Sequence, residues 1–177
     1  MSLPNALTLI RILLIPLFVI FLISKSFQNA FITFVIAGIT DGLDGFIARI
    51  WDQRTDLGSY LDPIADKLLL TSAFVTLAIL HLIPDWLTVI VLSRDILIAL
   101  GFWVLTMTNH KPTIKPRFTS KITTVFQTLT VIWALLPPQW NIKGLFPQQI
   151  FITLTAFFTI LSGVHYIYIG NKLLTEK

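Results

Sequence analysis

The chain has 177 residues, of which 55% are hydrophobic and only 12% are charged, and its formal net charge is +4. A mean hydropathy of +0.81 is too apolar for a water-soluble domain and indicates a polytopic membrane protein. The chain contains no cysteine, which excludes disulfide frameworks, thiolate catalysis and cysteine-bound metals. The modest positive charge favours contact with anionic lipid headgroups and phosphorylated substrates. It does not favour a nucleic acid partner, because no basic surface is interleaved with aromatic residues.

Six apolar segments follow one another along the chain, each near the length of about 20 residues that a membrane-spanning helix requires. We therefore predict an all-α integral membrane protein with six transmembrane helices in a single domain, residues 1–177. A short interfacial start and the first span lie within residues 2–24. The later spans are predicted at 29–49, 61–82, 86–108, 121–137 and 147–169, with a polar link at 50–60.

The basic residues of the links are distributed unevenly between the two sides of this six-span arrangement. The opposite side holds only two, Lys25 and Lys143, whereas one side holds nine: Arg49, Arg54, Lys67, Lys111, Lys115, Arg117, Lys121, Lys172 and Lys177. Cytoplasmic links of membrane proteins carry the excess of lysine and arginine. The sequence therefore predicts that both termini, and the acidic stretch described below, face the cytosol.

The first span opens with polar residues at helical spacing, in the pattern Pro4-Asn5-x-x-Thr8-x-x-Arg11. On a helix these side chains share one face. The spacing alone leaves two interpretations open. Asn5 or Thr8 could cap the helix while Arg11 extends to the interface, or the three residues could bind a ligand.

The most acidic stretch of the chain, residues 41–66, holds six of its nine acidic residues. Asp41 and Asp44 are three residues apart, and Asp62 and Asp66 are four apart, so each pair projects from one face of a helix. Carboxylates beside membrane segments are costly unless they are paired, hydrated or bound to a metal. Four of them converging from two helix ends would form an oxygen-rich site suited to Mg²⁺ or Mn²⁺. The alternative is a loop whose acids are merely solvated.

Further charges lie in or near the later apolar segments. Arg94 and Asp95 could form a structural salt bridge, or Arg94 could receive an anion, because its planar fork can grip a phosphate through two hydrogen bonds. Lys67 fits either an interfacial anchor or a phosphate contact. The link 109–121 is the most basic segment and is expected to face anionic lipid. Its basic residues are Lys111, Lys115, Arg117 and Lys121.

The acidic stretch carries the pattern Asp-x-x-Asp-Gly-x-x-Ala-Arg, eight residues, then Gly-x-x-x-Asp-x-x-x-Asp. This pattern resembles the signature of the CDP-alcohol phosphotransferase family. It matches without a departure at Asp41, Asp44, Gly45, Ala48, Arg49, Gly58, Asp62 and Asp66. The opening segment and Ser93-Arg94-Asp95 resemble the branch that contains phosphatidylglycerophosphate synthases and CMP-forming cardiolipin synthases.

The resemblance implies transfer of a phosphatidyl group from CDP-diacylglycerol to an alcohol, with release of CMP. It implies two Mg²⁺ or Mn²⁺ ions, with Asp66 also serving as general base; the expected ligands are Asp41, Asp44, Asp62 and Asp66. The nucleotide and its phosphates would be held by Asn5, Thr8, Arg11, Gly45, Ala48, Arg49, Thr55 and Gly58. A phosphorylated acceptor would be held by Arg94, Lys121 and Arg117. The resemblance also implies a homodimer, because small members of this family often form one.

Two acceptors are compatible with these residues. Three basic groups around a phosphate point to glycerol-3-phosphate, whereas the stretch Pro116-Arg117-Phe118-Thr119-Ser120-Lys121 looks closer to the cardiolipin synthase branch, which uses phosphatidylglycerol. A third hypothesis, from another class, is a cation transporter. It predicts carboxylates spread through the depth of the bilayer, whereas here they are confined to one block at span ends.

Overall fold

The structure is a computed structural model that describes residues 3–50, 56–107, 118–136 and 147–175. All of the regular structure in these ranges is helical, which confirms the all-α part of the predicted fold class. The six helices are α1 Leu3–Ile23, α2 Phe27–Ile50, α3 Asp56–Ile79, α4 Asp85–Met107, α5 Phe118–Leu135 and α6 Gln148–Thr175.

Some helix ends differ from the prediction. Helix α3 begins at Asp56, so residues 56–60 are helical and the predicted polar link at 50–60 is wrong there. Polar residues can continue a helix that apolar residues anchor, so hydropathy alone misplaces such an end. Helix α1 runs unbroken from Leu3 to Ile23, so the expected interfacial start is continuous with the first span.

Two tight turns join the first four helices in pairs, and each begins with a residue in the left-handed backbone region. Lys25 has φ 57° after α1, and His81 has φ 54° after α3. The Ser26 amide donates to the carbonyl of Phe21 at 2.8 Å, which closes the first turn. The second turn has the same pattern, with the Leu82 amide donating to Leu77 at 2.9 Å. Both are Schellman ends, which satisfy the last carbonyls of a helix and reverse the chain.

The apolar core lies towards the end of the bundle where these two turns are found. Helix α1 packs on α2 and α3, α6 packs on α4 and α5, and α3 also contacts α4 and α5. The core side chains come from all six helices and include Phe18, Phe34, Phe74, Leu77, Leu87, Val131, Leu135 and Ile152. Burying aliphatic and aromatic groups at one end leaves the other end free for polar side chains.

The outer surface of the bundle is strongly apolar. Leu13, Ile79 and Tyr168 are each about 70% exposed, and similar residues extend over every helix. Two of the described helices could cross a membrane by length and composition, through Ala6–Ile23 of α1 and Gln148–Gly170 of α6. Within the described residues only these two helices meet both criteria, so six spans remain a prediction.

Hydroxyl groups line the buried contact between α5 and α6. Thr130 and Thr155 share a hydrogen bond of 2.7 Å between their Oγ1 atoms. The Thr123 hydroxyl donates to the Phe158 carbonyl at 3.0 Å. Such bonds hold helices together where both are surrounded by apolar material, because the hydroxyls find no water there. Hydrogen bonds of threonine hydroxyls therefore hold α5 against α6.

Candidate active site

Arg11 joins helices α1, α2 and α3 at the polar end of the bundle. Its side chain is fully buried, and its Nη1 atom lies 2.9 Å from Asp41 Oδ1 and 3.1 Å from Asp66 Oδ1. Both carboxylates remain 42–44% exposed. A buried arginine that contacts two half-exposed carboxylates keeps them beside each other, although their like charges repel. Asp41 and Asp66 are therefore neighbours that still face solvent.

Thr8 connects a third carboxylate, that of Asp62, to this group. Its hydroxyl donates to Asp62 Oδ1 at 2.5 Å. Thr8 and Arg11 are three residues apart on α1, and Asp62 and Asp66 are four apart on α3, so both helices use one face. The prediction that Asp62 and Asp66 project from a common face is confirmed by these contacts. We call Thr8, Arg11, Asp41, Asp62 and Asp66 the acidic cluster.

A second polar group surrounds Arg94 in the adjoining part of the bundle. Arg94 is only 6% exposed, and its Nη1 atom lies 2.7 Å from Asp95 Oδ1. Its Nη2 atom donates to Ser120 Oγ at 2.7 Å and to Ser162 Oγ at 2.9 Å. Lys67 reaches across from α3, with its Nζ atom 2.5 Å from the same oxygen of Asp95. Arg94 thus takes part in a salt bridge and also contacts α5 and α6.

The first 161 residues of the chain match the sequence model of CDP-alcohol phosphatidyltransferases. The chain belongs to the CDP-alcohol phosphatidyltransferase family. Enzymes of this family are membrane-bound and generally depend on divalent metal ions. Membership therefore supports an enzyme and argues against the cation transporter.

Individual relatives fall into two groups. The chain is 39% identical to the CMP-forming cardiolipin synthase of Homo sapiens, over 97% of this chain and 62% of the relative, so it spans less than two thirds of that protein. It is 34% identical to the CDP-diacylglycerol–glycerol-3-phosphate 3-phosphatidyltransferase of Haemophilus influenzae, over 99% of this chain and 97% of the relative. The enzyme of the same name from Bacillus subtilis is 33% identical, with 93% of each chain covered.

The chemistry of the acidic cluster fits the metal dependence of the family. Its three carboxylates are hard oxygen donors, and those of Asp41 and Asp66 are neighbours open to solvent. Among the side chains that the structure describes, no three metal-ligating groups are close enough to hold an ion by themselves. The fourth aspartate of the family signature, Asp44, has a side chain outside the described set. The chemical type of the donors therefore fits, whereas the three described carboxylates do not form a complete ion site by themselves.

The remaining predicted residues divide between exposed and undescribed positions. Lys121 is exposed at the start of α5. Thr55 and Arg117 lie outside the described residues. The side chains of several others are also outside the described set, although their backbone is helical: Asn5, Asp44, Gly45, Ala48, Arg49 and Gly58. Their roles stay predictions.

Sequence reasoning missed three contacts at this end of the bundle. Lys67 is predicted to anchor at the interface or to contact a phosphate, and its ion pair with Asp95 was not foreseen. The available signal was that Lys67 directly follows Asp66. Adjacent residues on a helix do not face the same neighbour, so Lys67 should contact a different helix from the one that Asp66 contacts. Ser120 was visible in the sequence beside Lys121, but nothing near Ser162 marked it as a partner of Arg94. Thr8 was assigned to the nucleotide, and its bond to Asp62 was not foreseen.

Proposed function

We propose that the protein transfers a phosphatidyl group from CDP-diacylglycerol to a phosphorylated alcohol, with release of CMP. One observation carries this proposal: Arg11 brings Asp41 of α2 and Asp66 of α3 together at one end of the bundle, with both carboxylates open to solvent. The family signature supplies those two residues, and the site lies where a lipid-linked diphosphate could meet it while its acyl chains stay beside the apolar surface.

In this proposal Asp41, Asp44, Asp62 and Asp66 hold two divalent ions, either Mg²⁺ or Mn²⁺. When bound, such ions neutralise the diphosphate and stabilise the leaving oxygen. The signature residues Gly45, Ala48, Arg49 and Gly58 frame the cytidine diphosphate, together with Asn5, Thr8, Arg11 and Thr55. Thr8 and Arg11 also keep the aspartates in register, which is supported by their contacts with Asp62 and Asp66.

The transfer forms one bond to phosphorus and breaks another. The acceptor hydroxyl oxygen bonds to the phosphorus that carries the diacylglycerol, and the bond from this phosphorus to the bridging oxygen breaks. CMP leaves with that oxygen. Asp66 takes the proton of the hydroxyl, for which its half-exposed carboxylate is suitably open. The negative charges of Asp41 and Asp66 would hinder departure of the CMP anion unless positive charge offsets them. Arg11 lies between these two carboxylates and supplies such a charge.

For the acceptor we propose glycerol-3-phosphate, held by Arg94, Lys121 and Arg117. Support comes from the buried guanidinium of Arg94 and from the end-to-end match with the Haemophilus influenzae enzyme. Phosphatidylglycerol is the second candidate, because the identity of 39% to the human cardiolipin synthase is higher than the 34% to that enzyme. Both acceptors carry a phosphate and a free hydroxyl.

The product assay separates these candidates. Purified protein is incubated with CDP-diacylglycerol, Mg²⁺ or Mn²⁺ and each acceptor in turn, and both CMP and the lipid product are identified. The Asp41→Asn variant should lose at least about a hundredfold of its activity, because a metal-bearing carboxylate becomes a neutral amide. Asp85→Asn, an exposed aspartate at the other end of the bundle, is the matched control and should retain activity. Absence of CMP with both acceptors would refute the proposal.

We further propose that all six helices span the membrane as one domain, with both termini and the active site in the cytosol, and that the protein forms a homodimer. The nine-to-two distribution of basic residues supports this orientation. Because the chain has no cysteine, single cysteines report sidedness directly. A membrane-impermeant thiol reagent should label Ser26→Cys in intact cells and should label Thr175→Cys only after lysis. The reverse pattern would invert the topology, and chemical crosslinking in membranes would test the dimer.

A further inference from the structure

Asp95 is shared by two cations that come from different helices. Lys67 of α3 and Arg94 of α4 both contact its Oδ1 atom, at 2.5 Å and 2.7 Å. The Asp95 side chain is 17% exposed, and Lys67 is about half exposed. One carboxylate oxygen therefore connects a helix of the acidic cluster to the buried arginine. The family pattern assigns no role to this pairing.

Helix α3 contributes to both polar groups through adjacent residues. Asp66 contacts Arg11 of α1, and Lys67 contacts Asp95 of α4. Neighbouring side chains on a helix are separated by about 100° of rotation, so they reach different sides of α3. These two ion pairs therefore tie α3 to α1 and to α4.

Arg94 is held by three helices but retains hydrogen-bonding capacity. Its Nη1 atom donates a hydrogen bond to Asp95, and its Nη2 atom donates to Ser120 and Ser162. Its buried Nε atom has no hydrogen-bond partner among the residues that the structure describes. A guanidinium with buried N–H capacity is suited to an anion, provided that its orientation is fixed and its charge is not cancelled.

We propose that Lys67 and Asp95 are positioning residues for the acceptor: Asp95 fixes the orientation of the Arg94 guanidinium, and Lys67 offsets the charge of Asp95. The proposal rests on the proposed function. The three side chains together carry a net charge of +1, whereas Asp95 and Arg94 alone would be neutral. The ligand is defined by its chemistry, a phosphate on an alcohol. It belongs to either glycerol-3-phosphate or phosphatidylglycerol.

The Asp95→Asn variant distinguishes positioning from simple charge compensation. If Asp95 only neutralises Arg94, removing its charge should lower the KM of the phosphorylated acceptor. If it orients Arg94, the acceptor KM should rise, by about tenfold for the loss of a charge-assisted hydrogen bond, while the KM of CDP-diacylglycerol stays within about twofold. Both acceptors are tested, and the one whose KM responds is the source of the phosphate. A lower acceptor KM, or equal rises in both KM values, would overturn the proposal.

Lys67 provides a second variant that is expected to fold, because its side chain is half exposed. Lys67→Met should raise the acceptor KM by about threefold, a smaller effect because solvent screens the exposed ion pair. Lys67→Arg should restore it, since the charge returns. Lys25→Met and Asp85→Asn, both exposed at the opposite end of the bundle, are the matched controls. An unchanged acceptor KM in Lys67→Met, or failure of Lys67→Arg to restore it, would count against the role of Lys67.

Thermal unfolding tests the pairing without any activity. The shifts of Lys67→Met and Asp95→Asn should be less than additive in the double variant, because either change removes the same contact. If the wild-type protein releases no CMP with either acceptor, the proposed function fails even where the two shifts are non-additive. If the wild type is active and the two shifts are simply additive, the pairing itself fails.

Discussion

Replacement of Arg11 by methionine tests the assembly of the acidic cluster. The change removes a fully buried cation and leaves Asp41 and Asp66 facing each other without it. Methionine keeps an unbranched, flexible side chain, so the packing of the aliphatic stem is largely retained. We expect a destabilised protein with lower activity, because the two carboxylates then repel across the junction of α2 and α3.

The magnitude follows from the geometry. Breaking a buried ion pair by removing one partner costs about 3–5 kcal/mol. Because Asp41 and Asp66 are 42–44% exposed, solvent screens part of this, and we expect about 2–3 kcal/mol. For a protein of this size, each kcal/mol shifts the Tm by about 2–4 °C, so the Tm should fall by roughly 4–12 °C.

Thermal unfolding in detergent micelles, followed by circular dichroism, measures this shift. Leu13→Met is the matched control, because Leu13 is on the same helix but 71% exposed, and its Tm should not change. Adding Asp66→Asn to the Arg11→Met variant should recover part of the loss, since it removes one of the two repelling charges. The reasoning is refuted if the Tm of Arg11→Met equals that of the wild type, or if the second substitution lowers the Tm further.

Three further predictions each concern a single residue. Thr8→Val should raise the concentration of Mg²⁺ needed for half-maximal activity, because Asp62 loses a hydrogen bond of 2.5 Å. Thr8→Ser keeps the hydroxyl and should behave as wild type. An equal metal requirement in both variants would contradict this prediction. Phe74→Ala should cost about 3–5 kcal/mol of unfolding free energy in detergent, because Phe74 is fully buried in the core, and a loss below about 1 kcal/mol would show that the site is loosely packed. His81→Gly should raise the Tm, because His81 has φ 54° and glycine avoids a cost of about 1–2 kcal/mol in that conformation; a lower Tm would mean that the imidazole itself stabilises the turn.

The helices were predictable from the sequence because long apolar runs leave few alternatives. All six runs became helices, and Asp62 and Asp66 share the face that their spacing requires. The start of α3 at Asp56 was missed, since residues 56–60 are polar and hydropathy gives no sign of their helical backbone. Apolar patterning thus fixes where a helix must be buried, but not where it begins.

The partners of individual charges were less predictable. Spacing along one helix shows which side chains share a face, but it does not show which other helix that face meets. The sequence therefore presented Arg94 and Asp95 as a neighbouring pair, whereas Lys67 and Ser162, 27 and 68 residues from Arg94, complete the group. Contacts of this kind depend on how the helices pack against one another. The residues around one position in the sequence do not specify that packing.

The hydroxyl bonds between α5 and α6 have a mechanical consequence for Arg94. Thr130 and Thr155 would lose their partner in a medium without water if these helices slid apart, so the two helices should shift as one body. Ser120 is on α5 and Ser162 is on α6, and both accept hydrogen bonds from Arg94. Any displacement that carries this pair away from α4 would remove both serines from the guanidinium in a single step.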